Sequence, residues 1–182
     1  MANETELRRH RCCFTGHRPE KLTRSEAEIK KDLETAILQA IDDGFVTFIT
    51  GMARGVDIWA GEIVLQLRQS RPNIHLIAAS PYQGFESRWS ADWQQRYNAV
   101  LEQADLVRFV CKGYSKACFQ IRNEWMVDRS ARVIGVFKFN WGLPLLGLNF
   151  GVLYWGLVLG SPFHKTRARN RSVPCPCLLL LL

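Results

Sequence analysis

The stretch Phe45-Val-Thr-Phe-Ile-Thr50-Gly51-Met-Ala-Arg54-Gly55-Val-Asp57-Ile-Trp59-Ala60 decides the fold. Its first six residues are β-branched or aromatic without polar alternation, which predicts a strand buried on both faces. Two glycines then bracket Arg54, and Val56, Trp59, Ala60, Ile63, Val64 and Leu67 recur at helical spacing. A buried strand that turns through glycine directly into an amphipathic helix is the core of a βαβ unit.

Outward from that stretch the same alternation repeats. Upstream, Arg11-Cys-Cys-Phe-Thr15 predicts a first strand ending at Gly16. Ser25 and Glu28 form a capping-box pattern before Ile29, Leu33, Ala36, Ile37, Ala40 and Ile41, and Gly44 supplies the helix stop. Downstream, Pro72 precedes a third strand over Ile74–Ala79, and Trp89, Trp93, Tyr97, Val100 and Leu101 share a helical face. A fourth strand over Asp105–Val110, a helix from about Cys118 to Ser130 and a fifth strand over Arg132–Phe137 complete the series. The expected architecture is an α/β, Rossmann-like three-layer fold with a mainly parallel sheet and right-handed crossovers, truncated or altered after the fifth strand. Residues 1–10 are expected to be a flexible N-terminus, 11–138 the folded domain and 139–182 an atypical tail.

Charge and cysteine usage exclude several classes. The net charge is +7, but residues 1–138 hold 20 Lys/Arg against 17 Asp/Glu. The rest of the excess lies on Lys165, Arg167, Arg169 and Arg171 in the tail, so nucleic acid is not an expected partner. Cys12, Cys13, Cys111, Cys118, Cys175 and Cys177 show no paired spacing of a zinc site, and no secretory signal opens the chain. No metal and no cofactor are expected, and the compartment reads as cytoplasmic with reduced thiols. From Phe139 to Phe163 there is no charged residue, long enough for a bilayer, although Asn140, Pro144 and Asn149 interrupt it. Membrane contact is expected only through that segment.

Ligands of doubly wound sheets bind beyond the carboxyl ends of the strands. That rule selects Thr15, Gly16, His17 and Arg18 after the first strand, and Gly51, Met52, Ala53, Arg54, Gly55 and Asp57 after the second. It also selects Ser80 and Pro81 after the third, with Arg122, Asn123 and Met126 on the last helix. Glycines let backbone approach a phosphate, and a helix start offers N–H donors and partial positive charge. The same loop serves equally as a plain strand-to-helix turn capped by Asp57, and His17 as an ordinary loop histidine. The Trp89, Trp93 and Tyr97 stripe reads as core, and His75 as structural.

Three ordered motifs carry a resemblance. Cys-Cys-Phe-Thr-Gly-His-Arg-Pro19, Thr50-Gly-Met-Ala-Arg-Gly-Val-Asp-Ile-Trp-Ala60 and Arg122-Asn-Glu-Trp-Met-Val-Asp-Arg-Ser130 resemble the YspA/YpsA-like branch of the SLOG superfamily. Its relatives include the cytokinin-activating phosphoribohydrolases and the DNA-processing protein DprA. The resemblance implies a Rossmann-like domain over about residues 11–137 that binds a nucleotide, ADP-ribose or nucleotide-sugar ligand as a sensor or regulatory module. It implies that Gly16, Arg18, Gly51, Arg54, Gly55 and Asp57 line the pocket, and related domains often form homodimers. The alternative it implies is hydrolysis of an N-glycosidic bond in a nucleoside monophosphate, with Arg122, Asp57 and Glu124 as catalytic candidates. The relatives' Gly-Gly-Thr loop and glutamate-bearing helix are replaced here by Lys138-Phe-Asn-Trp-Gly-Leu-Pro144. Residues from about 138 are therefore expected to be an aberrant or frameshifted ending, in which case another reading frame of the gene carries the missing Gly-Gly-Thr.

Overall fold

The computed structural model describes residues 3–137 and two short strands, β6 (Leu153–Tyr154) and β7 (Leu178–Leu179), which pair antiparallel. The expectations placed on the ending from residue 139, membrane contact included, otherwise lie outside the described residues. No helix among the described residues is long and apolar enough to cross a membrane.

Five strands, β1 (Arg11–Gly16), β2 (Thr47–Thr50), β3 (His75–Ser80), β4 (Leu106–Phe109) and β5 (Arg132–Val136), form one sheet in the order β4-β3-β2-β1-β5. Every neighbouring pair is parallel. Helices α2 (Glu26–Asp42), α3 (Val56–Arg68) and α4 (Ala91–Gln103) connect strands stepping one way, so right-handed crossovers put all three on one face. Helix α5 (Cys118–Asp128) leads back past β1 to β5 and therefore covers the opposite face. Alternation along the strands follows this division. Phe14, Phe48 and Leu76 pack with Leu33, Ile37, Ile58 and Val100, whereas Cys13, Ile49 and Ile77 pack with Met126 and Trp125.

Local chemistry sets the element ends. Ser25 Oγ accepts the Glu28 N–H at 3.3 Å while Glu28 Oε2 accepts the Ser25 N–H at 3.0 Å, a complete capping box. Helix α2 closes with Gly44 at φ 90°, and the Phe45 N–H donates to the Ala40 carbonyl at 3.0 Å. That closure draws Phe45 out of the expected second strand, which starts at Thr47. The third strand is shifted to His75–Ser80, the fourth shortened to Leu106–Phe109, and the last helix stops at Asp128. Within the segment expected to be flexible, Asn3 caps a short helix α1 (Glu4–Arg9), and Arg8 Nε donates to the Ser130 carbonyl at 3.1 Å. The Trp89–Tyr97 stripe packs as core, with Trp89 preceding α4 and Tyr97 buried. His75 lies on the surface beside Asp105, 3.4 Å away.

An ion network ties the three helices of the first face. Arg96 on α4 donates to both Glu62 oxygens, at 2.6 and 2.7 Å, and to Glu26 Oε1 at 2.7 Å, while Lys30 reaches Glu62 at 2.7 Å. Burial pushes the Glu62 carboxyl up, but the bonds from Arg96 and Lys30 outweigh it and hold Glu62 below its ordinary value. Stability from a lowered carboxyl is present above the unfolded-state pKa and lost as pH falls through the folded-state value. Glu62→Gln is therefore expected to cost about 1–2 kcal/mol at neutral pH and to flatten the fall of stability in acid. Urea unfolding at pH 7 and pH 3 checks both, and equal losses at the two pH values would contradict it.

Candidate functional site

The site is built on the turn between β2 and α3. Thr50 ends β2 fully buried, where its hydroxyl donates to the Asp57 carbonyl at 2.6 Å and accepts the Met52 N–H at 3.3 Å. Met52 takes the left-handed conformation, φ 61°, with its side chain buried in the core. A non-glycine residue there stores backbone strain, and such strain gathers at binding loops. Gly55 at φ 91° and ψ −126° precedes α3 in a conformation open essentially to glycine alone. The loop thus wraps the first turn of α3, and Asp57 Oδ2 accepts the Ala53 N–H at 3.3 Å.

Asp57 is also held from across the sheet. Arg122, on α5, inserts its guanidinium beneath the loop, where Nη1 donates to the Gly51 carbonyl and to Asp57 Oδ2, the latter at 3.2 Å. Both side chains are at most 8% exposed. Burial pushes the Asp57 carboxyl above its ordinary value, opposed by the Arg122 charge and the Ala53 N–H. Gly51 is required by this packing: a Cβ there would collide with the guanidinium and stand 2.6 Å from Asp57 Oδ2.

The loop after β1 lies against the same turn. A Cβ on Gly16 would stand 2.6 Å from Val56 Cγ2 and 2.8 Å from the Val136 carbonyl, so glycine lets α3 and β5 close on the end of β1. Its neighbour His17 donates its backbone N–H to Val136 at 3.0 Å, and its ring meets Phe137 edge-on at 5.2 Å. Gly55 abuts Pro19, and Arg54 pairs with Glu20 at 3.0 Å. Arg18 is exposed on the same loop. The sheet order reverses between β1 and β5, where a doubly wound sheet opens its crevice.

The structure therefore brings Gly16, His17, Arg18, Gly51, Ala53, Arg54, Gly55 and Asp57 to one place, with Thr15 at the end of β1 beneath them and Arg122 behind. Met52 and Met126 pack into the two cores. Ser80 is buried at the end of β3, accepting the Tyr97 hydroxyl at 2.8 Å, and Pro81 is buried beside it. Asn123 and Glu124 face solvent, with Glu124 accepting from Gln120 at 2.9 Å one turn back. Sequence reading missed Thr50 and Glu20. A hydroxyl ending a fully buried strand signals the first, whereas nothing local marks the second, because its partner lies on another loop. Among the described residues no group of His, Cys, Asp or Glu could hold a metal ion.

A family model described as the YspA SLOG family matches residues 12–140. The chain belongs to that family. The match covers all five strands of the sheet and both loops of the site. Among curated relatives, a UPF0398 protein of Halalkalibacterium halodurans is 36% identical over 104 residues, 56% of this chain and 55% of that protein. A UPF0398 protein of Bacillus cereus is 29% identical over 111 residues, 60% of each chain. The chain thus spans little more than half the length of these relatives.

Proposed function

We propose that this SLOG domain binds a nucleotide-derived ligand, such as a nucleotide, ADP-ribose or nucleotide sugar, as a sensor or regulatory module. The ligand's phosphate sits at the N-terminus of α3. The observation carrying this reading is the convergence of that helix start with Arg54 and Arg18 on two loops held together by glycine contacts. The first turn of a helix leaves backbone N–H groups without intrahelical partners, and its partial positive charge favours an anion. Arg54 supplies a fork suited to phosphate, and its bond to a carboxylate is one that an incoming anion can replace.

Binding is favoured over N-glycosidic hydrolysis by the state of the candidate catalytic groups. Asp57 and Arg122 are bonded to each other and to the loop backbone, and Glu124 points to solvent. A carboxylate that must stabilise a developing positive charge has to face the ligand, and none of these does.

The test is thermal unfolding of the chain with AMP, ADP-ribose, NAD and nucleotide sugars. A ligand at a hundred times its Kd adds about 2.7 kcal/mol of stability. Arg54→Ala should lose at least tenfold in affinity, whereas Glu20→Gln should bind as tightly or more tightly. An unchanged shift in Arg54→Ala would place the ligand elsewhere, and release of ribose 5-phosphate from AMP would restore the hydrolase reading.

A further inference from the structure

Among the described cysteines, Cys12 and Cys13 point to opposite faces of β1, one packed in each core, so they cannot meet. Cys111 and Cys118 are placed differently. Cys111 follows the end of β4, where its N–H donates to the Pro81 carbonyl at 2.9 Å, and Cys118 opens α5. Residues 112–117 between them are all exposed, whereas Cys111 is half-buried and Cys118 fully buried. The two cysteines thus stand at the two ends of one solvent-exposed loop, at its base.

The Cys111 thiol is turned across that base, where it donates to the carbonyl of Cys118 itself, Sγ to oxygen 4.0 Å. Both cysteines are free thiols. A thiol is a weak donor, so this contact holds little energy and is readily given up for a covalent bond. A disulfide brings the two Cβ atoms to about 3.8 Å. The loop can take up that adjustment: a Cβ on Gly113 would meet nothing within 4 Å, and none of residues 112–117 belongs to either core.

We propose that Cys111 and Cys118 are a reversible redox pair whose disulfide closes the base of this loop. The oxidant is a small disulfide of the glutathione class. Cys111, as thiolate, attacks one of its sulfurs, forming a mixed disulfide and expelling one thiolate. Cys118, also as thiolate, then attacks the Cys111 sulfur, closing the ring and expelling the second. Two electrons pass from the cysteine pair to the oxidant, and the two thiol protons end on the two released glutathione molecules. Only the half-buried Cys111 has to meet the oxidant, which suits a partner that is fully buried. The ring also bears on the lock of the ligand loop. Cys118 stands one turn before Arg122 on α5, and Arg122 holds Gly51 and Asp57. Tethering the first turn of α5 to the end of β4 limits fraying at that end of the helix.

The test treats the full chain with oxidised glutathione in native buffer, blocks the remaining thiols with iodoacetamide and maps the peptides by mass spectrometry. The expected product carries no label on Cys111 or Cys118 and is lighter than the reduced pair by the two thiol hydrogens. Dithiothreitol should restore both labels. Cys118→Ser should stop at the first step, with one glutathione held on Cys111, and Cys111→Ser should leave Cys118 without glutathione. Closing so short a ring should raise the unfolding temperature by roughly 5 °C, a rise absent from Cys111→Ser treated alike. Label on both thiols, or glutathione retained on Cys111 beside a free Cys118, would overturn the pair. A disulfide that leaves the unfolding temperature unchanged or lowers it would overturn the clasp, because its formation would then strain or open the fold.

Discussion

Asp57→Ala is expected to destabilise the protein by about 3–5 kcal/mol, because it leaves the Arg122 guanidinium buried without a counter-charge. Arg122 is 5% exposed, and its Nε already has no hydrogen-bond partner. Removing Asp57 Oδ2 leaves Nη1 with the Gly51 carbonyl alone and deprives the Ala53 N–H of its acceptor. For a chain of this size, such a loss lowers the unfolding temperature by roughly 10 °C. Removing both charges together should cost less than the two single losses combined: Asp57→Ala with Arg122→Met leaves no orphaned charge. Urea unfolding of the four proteins measures the coupling directly. Strict additivity would show that the pair does not act as a unit, and a loss under 1 kcal/mol for Asp57→Ala would show that water reaches Arg122.

Gly51→Ala is expected to act on the same lock from the other side. The added methyl would occupy the space of the guanidinium and stand 2.6 Å from Asp57 Oδ2. Arg122 cannot swing away cheaply, since it is buried and bonded to both the loop backbone and Asp57. Overpacking alone costs about 1–3 kcal/mol, and breaking the ion pair moves the loss to the upper end of that range or beyond it. The loop that presents Arg54 is displaced as well, so ligand-induced stabilisation should fall together with basal stability. Arg122→Ala opens the space that the methyl needs. In that background Gly51→Ala should cost less than in the native chain. The same or a larger cost there would mean that the loop conformation itself, rather than the guanidinium, demands glycine.

Much of the architecture is legible in short windows of sequence because its causes are local. The Ser25 and Glu28 box, the Gly44 stop and the helical spacing from Ile29 to Ala40 each involve residues within a few positions, and each appears in the structure as read. The unalternated Phe-Ile-Thr run of β2 marks burial on both faces for the same reason. Strand ends were less legible: Phe45 is as apolar as its neighbours, and only the closure of α2 removes it from the strand. The glycines at 16, 51 and 55 pointed to the loops of the site without revealing what each one makes room for.

The sequence by itself determined a parallel α/β domain of the SLOG family and the glycine-marked turns that follow its first two strands. Periodicity, caps and glycine turns are properties of neighbouring residues and survive without a folded chain. The tertiary structure alone decided which side chains meet. It paired Arg122 with Asp57 across 65 positions and with the Gly51 carbonyl across 71, and turned Asn123 and Glu124, next along the same helix, to solvent. It also set Arg54 against Glu20 and brought Tyr114 from the loop after β4 against Tyr82 from the loop after β3. The physical reason is the strand order. Carrying β5 back past β1 places α5 on the opposite face from α2, α3 and α4, and the rotation of that one helix selects whether Arg122 or its neighbour Glu124 reaches the loop.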